Sequence, residues 1–181
     1  MLTPSDLVMV WNCRGLNSPA RRDLVREFVS DSGAVFVALT ETKLSSVNSF
    51  DVMAILGPRF DGFEYLPAAG TRGGILVAWQ SGRLAGSICS LGDYSLTIRI
   101  TPSVGEPWWF TTVYGPSTDC DKDAFLLELR DVAGRCPGSW EVAGDFNLIL
   151  EASDKHQGVI NRGLMGKFRR TTTRKLAIGE N

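Results

Sequence analysis

The chain has 181 residues, enough for one domain with a sizeable core and too few to favour two. Hydrophobic residues make up 44% and charged residues 22% of it, a composition typical of soluble globular proteins. The formal net charge is -1, so the overall charge gives no indication of a nucleic-acid partner. The 19 glycines lie between apolar runs, which indicates many turns and therefore many strands.

The first forty residues alternate between strand and helix patterns. Residues 7–11 form a short apolar run that predicts a buried strand. A helix ended by Gly33 is predicted over residues 19–31, because apolar residues recur at helical spacing at Ala20, Leu24, Val25 and Phe28. Residues 34–39 are all apolar, which predicts a strand buried on both faces.

A β-rich stretch follows, with strands predicted at residues 63–66, 74–79, 86–89, 96–100 and 108–113. After Leu96, apolar residues alternate with Thr97, Arg99 and Thr101, a pattern typical of a half-exposed antiparallel strand. Helical spacing returns over residues 121–132, residues 141–143 predict a last short strand, and a helix is predicted to begin at residues 164–170. This order predicts α/β layers with mixed sheets. The sequence contains no P-loop pattern, and no Gly-x-Gly-x-x-Gly follows the first strand, which argues against a Rossmann fold.

The charge distribution and the cysteines indicate which partners and which cellular compartment to expect. Residues 162–181 carry +5, which leaves -6 on residues 1–161 out of the total of -1. Such a basic end could contact phosphates, although a solvated tail is the simpler interpretation. The four cysteines form no Cys-x-x-Cys pair, and the N-terminal apolar run is too short for a signal peptide or a membrane span. We therefore expect an intracellular protein, nuclear or cytoplasmic, that is neither secreted nor membrane-bound.

Polar side chains follow four of the predicted strands, namely Asn12, Glu41, Tyr114, Asp145 and Asn147. In layered α/β folds the strand ends form the rim where ligands bind. Oxygen ligands without histidine or cysteine suit a hard cation such as Mg²⁺ or Mn²⁺, and that cation suits a phosphate substrate. Taken singly, however, a carboxylate after a strand is more often a turn former or a helix cap, so the pattern alone leaves both interpretations open.

Five short motifs carry a resemblance to a known family. They are Trp-Asn-Cys-Arg-Gly-Leu at 11–16, Leu-Thr-Glu-Thr-Lys at 39–43, Arg-Gly-Gly-Ile at 72–75, Val-Tyr-Gly-Pro at 113–116 and Gly-Asp-Phe-Asn at 144–147. In this order the motifs resemble those of the endonuclease/exonuclease/phosphatase (DNase I-like) superfamily. Their amino-acid sequences are most similar to the endonuclease domain of LINE-type (non-LTR) retrotransposons. The resemblance covers a partial domain at residues 5–170 and leaves 171–181 as an unrelated or disordered basic tail.

The resemblance implies a fold, an activity and a role for each of these residues. The fold would be a four-layer α/β/β/α sandwich of two mixed β-sheets flanked by helices. The activity would be Mg²⁺- or Mn²⁺-dependent phosphodiester hydrolysis on DNA, with no small-molecule cofactor and no membrane partner. Glu41 would ligate the metal with Asn12 beside it, and Tyr114 would donate to a phosphate oxygen. Asp145 would orient or deprotonate the attacking water, and Asn147 would hydrogen-bond the scissile phosphate.

Two departures from the family pattern affect the expected activity. Arg14 stands where some relatives carry an acid, so a metal would depend more heavily on Glu41. The family's later Ser-Asp-His motif has no counterpart, because the single histidine, His156, comes about ten residues after the Gly-Asp-Phe-Asn motif, in a stretch that resembles a polar loop. We therefore expect a domain that is incomplete at its C-terminus and impaired as a DNA endonuclease.

Three functional hypotheses remain open from the sequence. The first is a metal-dependent endonuclease of retrotransposon origin, with Arg72 as a possible DNA contact beside a turn rich in glycine. The second is a catalytically dead remnant, or a weak nucleic-acid-binding module. The third, a small-molecule or lipid phosphatase of the same superfamily, is disfavoured by the retrotransposon-like wording of the motifs.

Overall fold

Two four-stranded β-sheets form the centre of the fold within residues 7–148, the part of the chain that the computed structural model describes. The first sheet has the order β1-β2-β4-β3, where β1 is Leu7–Asn12, β2 is Ala34–Thr40, β3 is Gly62–Leu66 and β4 is Ile75–Trp79. The second runs in chain order through β5 (Leu84–Leu91), β6 (Ser95–Pro102), β7 (Trp108–Tyr114) and β8 (Trp140–Asp145). Each sheet is mixed, because β1 pairs with β2 and β7 with β8 in parallel while the other pairs are antiparallel.

Three helices of the described part of the chain cover the outer faces of these sheets. They are α1 (Pro19–Ser32), α2 (Ser49–Leu56) and α3 (Lys122–Arg135), the last entered through a short 3₁₀ turn at Asp119–Asp121. The helices α1 and α2 pack on the first sheet, and α3 packs on the second. The predicted α/β/β/α sandwich is therefore confirmed. As predicted, α1 ends at Gly33, which takes the left-handed conformation at φ 70° that glycine adopts without a steric penalty.

The core between the sheets comes from alternate residues of the inner strand faces. The rings of Phe36 and Phe110 meet edge to face across it, with centroids 5.2 Å apart. Because successive strand side chains point to opposite faces, β2 supplies Phe36 and Ala38 to this core and Val37 and Leu39 to the layer under α1 and α2. Every residue of β2 is buried, which confirms the strand predicted to be buried on both faces.

The prediction that the first strand is buried is wrong. Within residues 7–148, β1 lies at the edge of its sheet and is half-buried along most of its length. The neighbouring helix also departs from the prediction, because α1 buries Val25 and Val29 and leaves Phe28 53% exposed. The ring of Phe28 packs instead on Trp11 of the edge strand, with centroids 5.2 Å apart.

The half-exposed pattern predicted for β6 holds at Arg99 and fails at Thr97. Thr97 is fully buried, and its hydroxyl lies 2.9 Å from that of Thr111. The Thr111 hydroxyl also accepts a hydrogen bond from Trp140 Nε1 at 2.8 Å. The Trp140 side chain and helix α3 therefore cover the outer face of the second sheet in this part, so a residue that looks solvent-facing in sequence is enclosed.

Helix α2 was not predicted, although the sequence contains a signal for it. Asn48 caps the helix by accepting from the backbone N–H groups of Phe50 and Asp51, and Asp51 accepts from the backbone of Asn48 in return.

Within the described residues, no helix is both long and apolar enough to cross a membrane. The predicted helix at 164–170, the loop around His156 and the basic residues of 162–181 lie outside the described residues.

Candidate active site

The five side chains singled out in the sequence lie at one end of the sandwich. β1 ends at Asn12, which is in register with the last residue of β2, and Glu41 follows directly. On the second sheet Tyr114 is in register with Asp145. By strand alternation the side chains of Asn12, Tyr114 and Asp145 point into the space between the sheets. The two parallel strand pairs thus bring residues distant in sequence to a common rim.

A hydrogen-bonded group centred on Asp145 joins the two sheets. Asn12 Nδ2 donates to Asp145 Oδ2 at 2.9 Å, and the backbone N–H of Asn147 donates to Asp145 Oδ1 at 3.0 Å. Asn147 Nδ2 donates to the carbonyl oxygen of Gly115 at 2.8 Å. Both carboxylate oxygens of Asp145 are therefore fixed by donors, and an ionised carboxylate still has lone pairs for a water or another ligand.

Glu41 and Asp145 act electrostatically on the same phenol. Burial raises the pKa of Tyr114 above its usual value, and the negative charges of Glu41 and Asp145 raise it further. The Tyr114 hydroxyl therefore stays protonated at neutral pH, where it can donate a hydrogen bond. The side chain of Glu41 is 23% exposed, which leaves its carboxylate accessible from the rim.

The backbone of the site is strained in a way seen nowhere else in the described residues. The non-glycine residues with left-handed φ angles between residues 7 and 148 are Arg14, Glu41, Lys43 and Asn147, at φ 49°, 57°, 59° and 47°. Such conformations persist only where the surrounding structure enforces them, and they cluster at functional sites. Here cross-loop hydrogen bonds enforce them: the N–H of Gly15 donates to the Glu41 carbonyl and that of Lys43 to the Gly73 carbonyl, each at 2.7 Å.

Gly73 permits the close approach of the two sheets at the rim. A Cβ atom at this position would lie 2.7 Å from the Tyr114 ring and 3.0 Å from the Glu41 Cα. No side chain fits there unless one of these neighbours moves. The glycine that the motif supplies at this position therefore determines how near Glu41 lies to Tyr114.

The donor set at the rim fits a hard divalent cation. Glu41 and Asp145 supply carboxylate oxygens and Asn12 an amide oxygen, the ligand types that Mg²⁺ and Mn²⁺ prefer. In residues 7–148 no three His, Cys, Asp or Glu residues cluster as a closed metal cage. Mg²⁺ does not require one, because it is commonly held by one or two carboxylates together with waters and substrate phosphates.

Arg72 lies beside the rim and lines a groove that the sequence did not predict. The groove is lined by Tyr114 and by Thr71, Arg72, Tyr94, Gly115, Pro116, Ser117 and Asp121. The residues from 69 to 72 form a tight turn, as predicted, with an isolated bridge between Ala69 and Arg72. The sequence signal that could have pointed to Tyr94 is the Gly-Asp-Tyr at 92–94, an aromatic in a turn between two strands.

The chain belongs to the Endonuclease/Exonuclease/phosphatase family, which it matches over residues 9–179. The family assignment made from the five motifs is thereby confirmed. No curated protein sequence matches the chain.

Solved structures with the same fold include two endonucleases. The AP endonuclease LMAP from Leishmania major is 19% identical with a TM-score of 0.66, over 91% of this chain and 65% of that one. The endonuclease domain of TRAS1, a telomere-specific non-LTR retrotransposon, is 13% identical with a TM-score of 0.62, over 91% of this chain and 71% of that one. The chain thus spans less than two thirds of the length of LMAP.

A third structure was solved with a nucleic acid. D. rerio TDP2, complexed with single strand DNA product, is 18% identical with a TM-score of 0.55, over 78% of this chain and 60% of that one. At these identities the likenesses establish a shared fold.

Proposed function

We propose that the chain is a divalent-metal-dependent phosphodiesterase that cleaves DNA, of the type found in the endonuclease domains of non-LTR retrotransposons. The observation that carries the proposal is the group of Asn12, Asp145 and Asn147 set beside Glu41 and Tyr114. This group contains a fixed carboxylate for water, amide and phenol donors for phosphate oxygens, and a second carboxylate for a cation. Hydrolysis of a phosphodiester by in-line attack requires these parts.

Asp145 orients the attacking water in this proposal. Because Asn12 and Asn147 already hold its two oxygens, the carboxylate presents its remaining lone pairs in a fixed direction. The water gives a proton to Asp145 as its oxygen attacks phosphorus. The bond from phosphorus to the 3′ oxygen breaks on the opposite side, and the leaving oxygen takes a proton from solvent. The products are a 5′ phosphate and a free 3′ hydroxyl.

Tyr114 and Asn147 bind the oxygens of the scissile phosphate. The Tyr114 phenol keeps its proton, because burial and two nearby carboxylates raise its pKa, and it therefore donates. One N–H of the Asn147 amide is used by the Gly115 carbonyl, and the second is a donor for phosphate. Donors fixed in this way before the substrate binds stabilise the charge that develops on the phosphate oxygens.

Glu41, with the Asn12 amide beside it, would hold the divalent cation. When bound, Mg²⁺ or Mn²⁺ supplies positive charge against the phosphate oxygens and the leaving oxygen. The N–H of Gly15 donates to the Glu41 carbonyl and helps hold the left-handed backbone from which the Glu41 side chain leaves the chain. Arg14 provides no ligand, which leaves Glu41 as the principal acidic ligand on this side of the rim.

The assignment of DNA as substrate is supported by the cations around the rim and by the solved relatives. Arg14 and Lys43 are exposed on the β1 and β2 side, and Arg72 lies on the side of Tyr114. Cations on both sides of the site would contact the phosphates that flank the scissile one. The TRAS1 domain is a retrotransposon endonuclease, and TDP2 was solved with a DNA product.

A second candidate function, nucleic-acid binding without cleavage, is favoured by one contact. Lys43 Nζ lies 3.4 Å from Glu41 Oε1, so a lysine already partly neutralises the carboxylate proposed as the metal ligand. If this ion pair persists when nucleic acid binds, Lys43 takes the place of the metal charge and no cleavage follows.

Cleavage of supercoiled plasmid in Mg²⁺ and in Mn²⁺ tests the proposal. We expect Asp145→Asn and Glu41→Gln each to lower the nicking rate by about 10²-fold or more, because each removes a group used in the transition state. Glu141→Gln is the matched control, since Glu141 is an exposed carboxylate on the same strand as Asp145. Equal nicking by wild type and Glu41→Gln would contradict the proposal. DNA binding by wild type without any nicking would favour the second candidate.

A further inference from the structure

A groove beside the proposed catalytic residues is built from three separate loops. The turn before β4 supplies Thr71 and Arg72, the turn between β5 and β6 supplies Tyr94, and the loop after β7 supplies the remaining residues through Asp121. Tyr114 lines both this groove and the rim where Glu41 and Asp145 lie. If the scissile phosphate of a DNA strand contacts Tyr114, the nucleotide next to that phosphate therefore lies beside the groove.

Tyr94 is held firmly in the wall of this groove. Glu128 of α3 accepts hydrogen bonds from the backbone N–H groups of Asp93 at 2.9 Å and Tyr94 at 3.2 Å, and from the Ser95 hydroxyl at 2.5 Å. The carbonyl of Tyr94 accepts from the backbone N–H of Tyr114 at 2.9 Å. The backbone of Tyr94 is thus tied directly to that of Tyr114, and the Tyr94 ring packs edge to face on Phe125 of α3, with centroids 5.7 Å apart.

Charged side chains lie close to Tyr94 in and beside the groove. Arg72 pairs with the exposed carboxylate of Asp93, which comes from the same turn as Tyr94, at 2.5 Å. Burial is the main cause that raises the pKa of Tyr94, the negative charges of Asp121, Asp93 and Glu128 raise it further, and the positive charge of Arg72 lowers it. A single groove is therefore lined by one cation, the rings of Tyr94 and Tyr114, the hydroxyls of Thr71 and Ser117, and the carboxylate of Asp121.

We propose that this groove binds the nucleoside next to the scissile phosphate. Tyr94 contacts its base, and Arg72 contacts the next phosphate along the DNA strand, on the side away from the scissile one. The inference rests on the proposed function, because it takes the scissile phosphate to lie at Tyr114. Aromatic rings bind bases irrespective of sequence, and arginine suits a phosphate. Asp93 serves as the counter-ion of Arg72 until a phosphate replaces it.

The experiment compares two single-stranded oligonucleotides of equal length, one of thymidines and one whose residues all lack the base. Binding is measured by fluorescence anisotropy with Ca²⁺ in place of Mg²⁺. We expect Tyr94→Ala to weaken binding of the thymidine strand about tenfold, because loss of one base–aromatic contact costs roughly that much. The same variant is expected to bind the abasic strand like wild type. Tyr94→Phe keeps the ring and should bind both strands normally.

Two charge variants test the phosphate half of the groove. Arg72→Gln should weaken binding of both strands by a similar factor, because both carry phosphates. Asp93→Asn should tighten binding of both, because it releases Arg72 from its counter-ion; a gain in affinity does not result from misfolding. Phe50→Ala is the matched aromatic control, since it removes a ring that is 77% exposed on α2, outside the groove.

The outcomes separate this inference from the proposed function. Normal thymidine-strand binding by Tyr94→Ala, or an equal loss on both strands, overturns the subsite even if Asp145→Asn abolishes nicking. A loss confined to the thymidine strand supports the subsite. If that loss occurs while wild type and Asp145→Asn nick equally, the subsite stands and the hydrolytic proposal fails.

Discussion

The side-chain amide of Asn12 donates a hydrogen bond to the carboxylate of Asp145 across 133 residues of sequence and from one β-sheet to the other. Among the described strands, β1 and β8 are the edge strands of their sheets, and they lie against each other at this point. The carboxylate proposed to orient water is therefore positioned only when both sheets have formed and packed together. Folding of the sandwich and assembly of the site are in this respect one event.

The Asn12–Asp145 contact should contribute measurably to stability. We expect Asn12→Ala to lower the free energy of unfolding by about 1–2 kcal/mol, because it leaves a part-buried carboxylate with one donor fewer. A double-mutant cycle with Asp145→Ala, measured by urea unfolding, isolates the pairwise energy. Additive effects of the two substitutions would show that the contact contributes nothing in solution.

Gly73→Ala should disturb the site more than the fold. The added methyl group would lie 2.7 Å from the Tyr114 ring, so the ring must move away from the rim. We expect a clear loss of nicking in Mg²⁺ together with a modest change in melting temperature. Gly82→Ala is the control, because a Cβ there meets nothing within 4 Å. Unchanged nicking by Gly73→Ala would mean that Tyr114 is not needed at its present position.

The Tyr114 phenol should lose its proton at a higher pH than an ordinary tyrosine, and its pKa should depend on the charge of Glu41. Its folded pKa is raised, so the neutral phenol contributes stability that is present below pH 10 and is lost as the pH rises through the higher folded value. Glu41→Gln removes one of the charges responsible and should shift tyrosinate absorbance to lower pH. Tyr114→Phe should remove that titration, and Glu141→Gln should leave it unchanged. A titration insensitive to Glu41→Gln would place the carboxylate too far from the phenol.

Cys13 should be chemically inert although it adjoins the site. Burial raises its pKa to about 11, and its thiol donates to the Thr40 carbonyl at 3.1 Å. At pH 8 we expect iodoacetamide to modify exposed Cys120 and to leave buried Cys13 intact in the folded protein. Modification of Cys13 should become rapid in urea, as followed by peptide mass spectrometry. Labelling of both cysteines at the same rate without denaturant would contradict this burial.

Sequence patterns predicted the strands and singled out residues that lie together at one end of the sandwich, but not the contacts among them. Asn12 and Asp145 could be singled out because each follows an apolar run inside a family motif. That they bond to each other depends on how two sheets pack, which no local pattern encodes. Tyr94 went unnoticed for the same reason, since its groove is assembled from three loops. The burial of Thr97 likewise follows from the covering of the outer sheet face rather than from strand alternation.

Whether Glu41 binds a divalent cation decides between hydrolysis and nucleic-acid binding alone. Mn²⁺ titrated into the protein and followed by electron paramagnetic resonance measures this directly, without any requirement for turnover. Wild type and Glu141→Gln should bind Mn²⁺ with the same affinity, and Glu41→Gln should bind it at least tenfold more weakly, because Glu41 is the principal acidic ligand. Lys43→Met should bind Mn²⁺ more tightly than wild type, since it frees the Glu41 carboxylate from its ion pair. Equal Mn²⁺ affinity of wild type and Glu41→Gln would contradict the assignment of Glu41 as the metal ligand, and with it metal-dependent hydrolysis at this site.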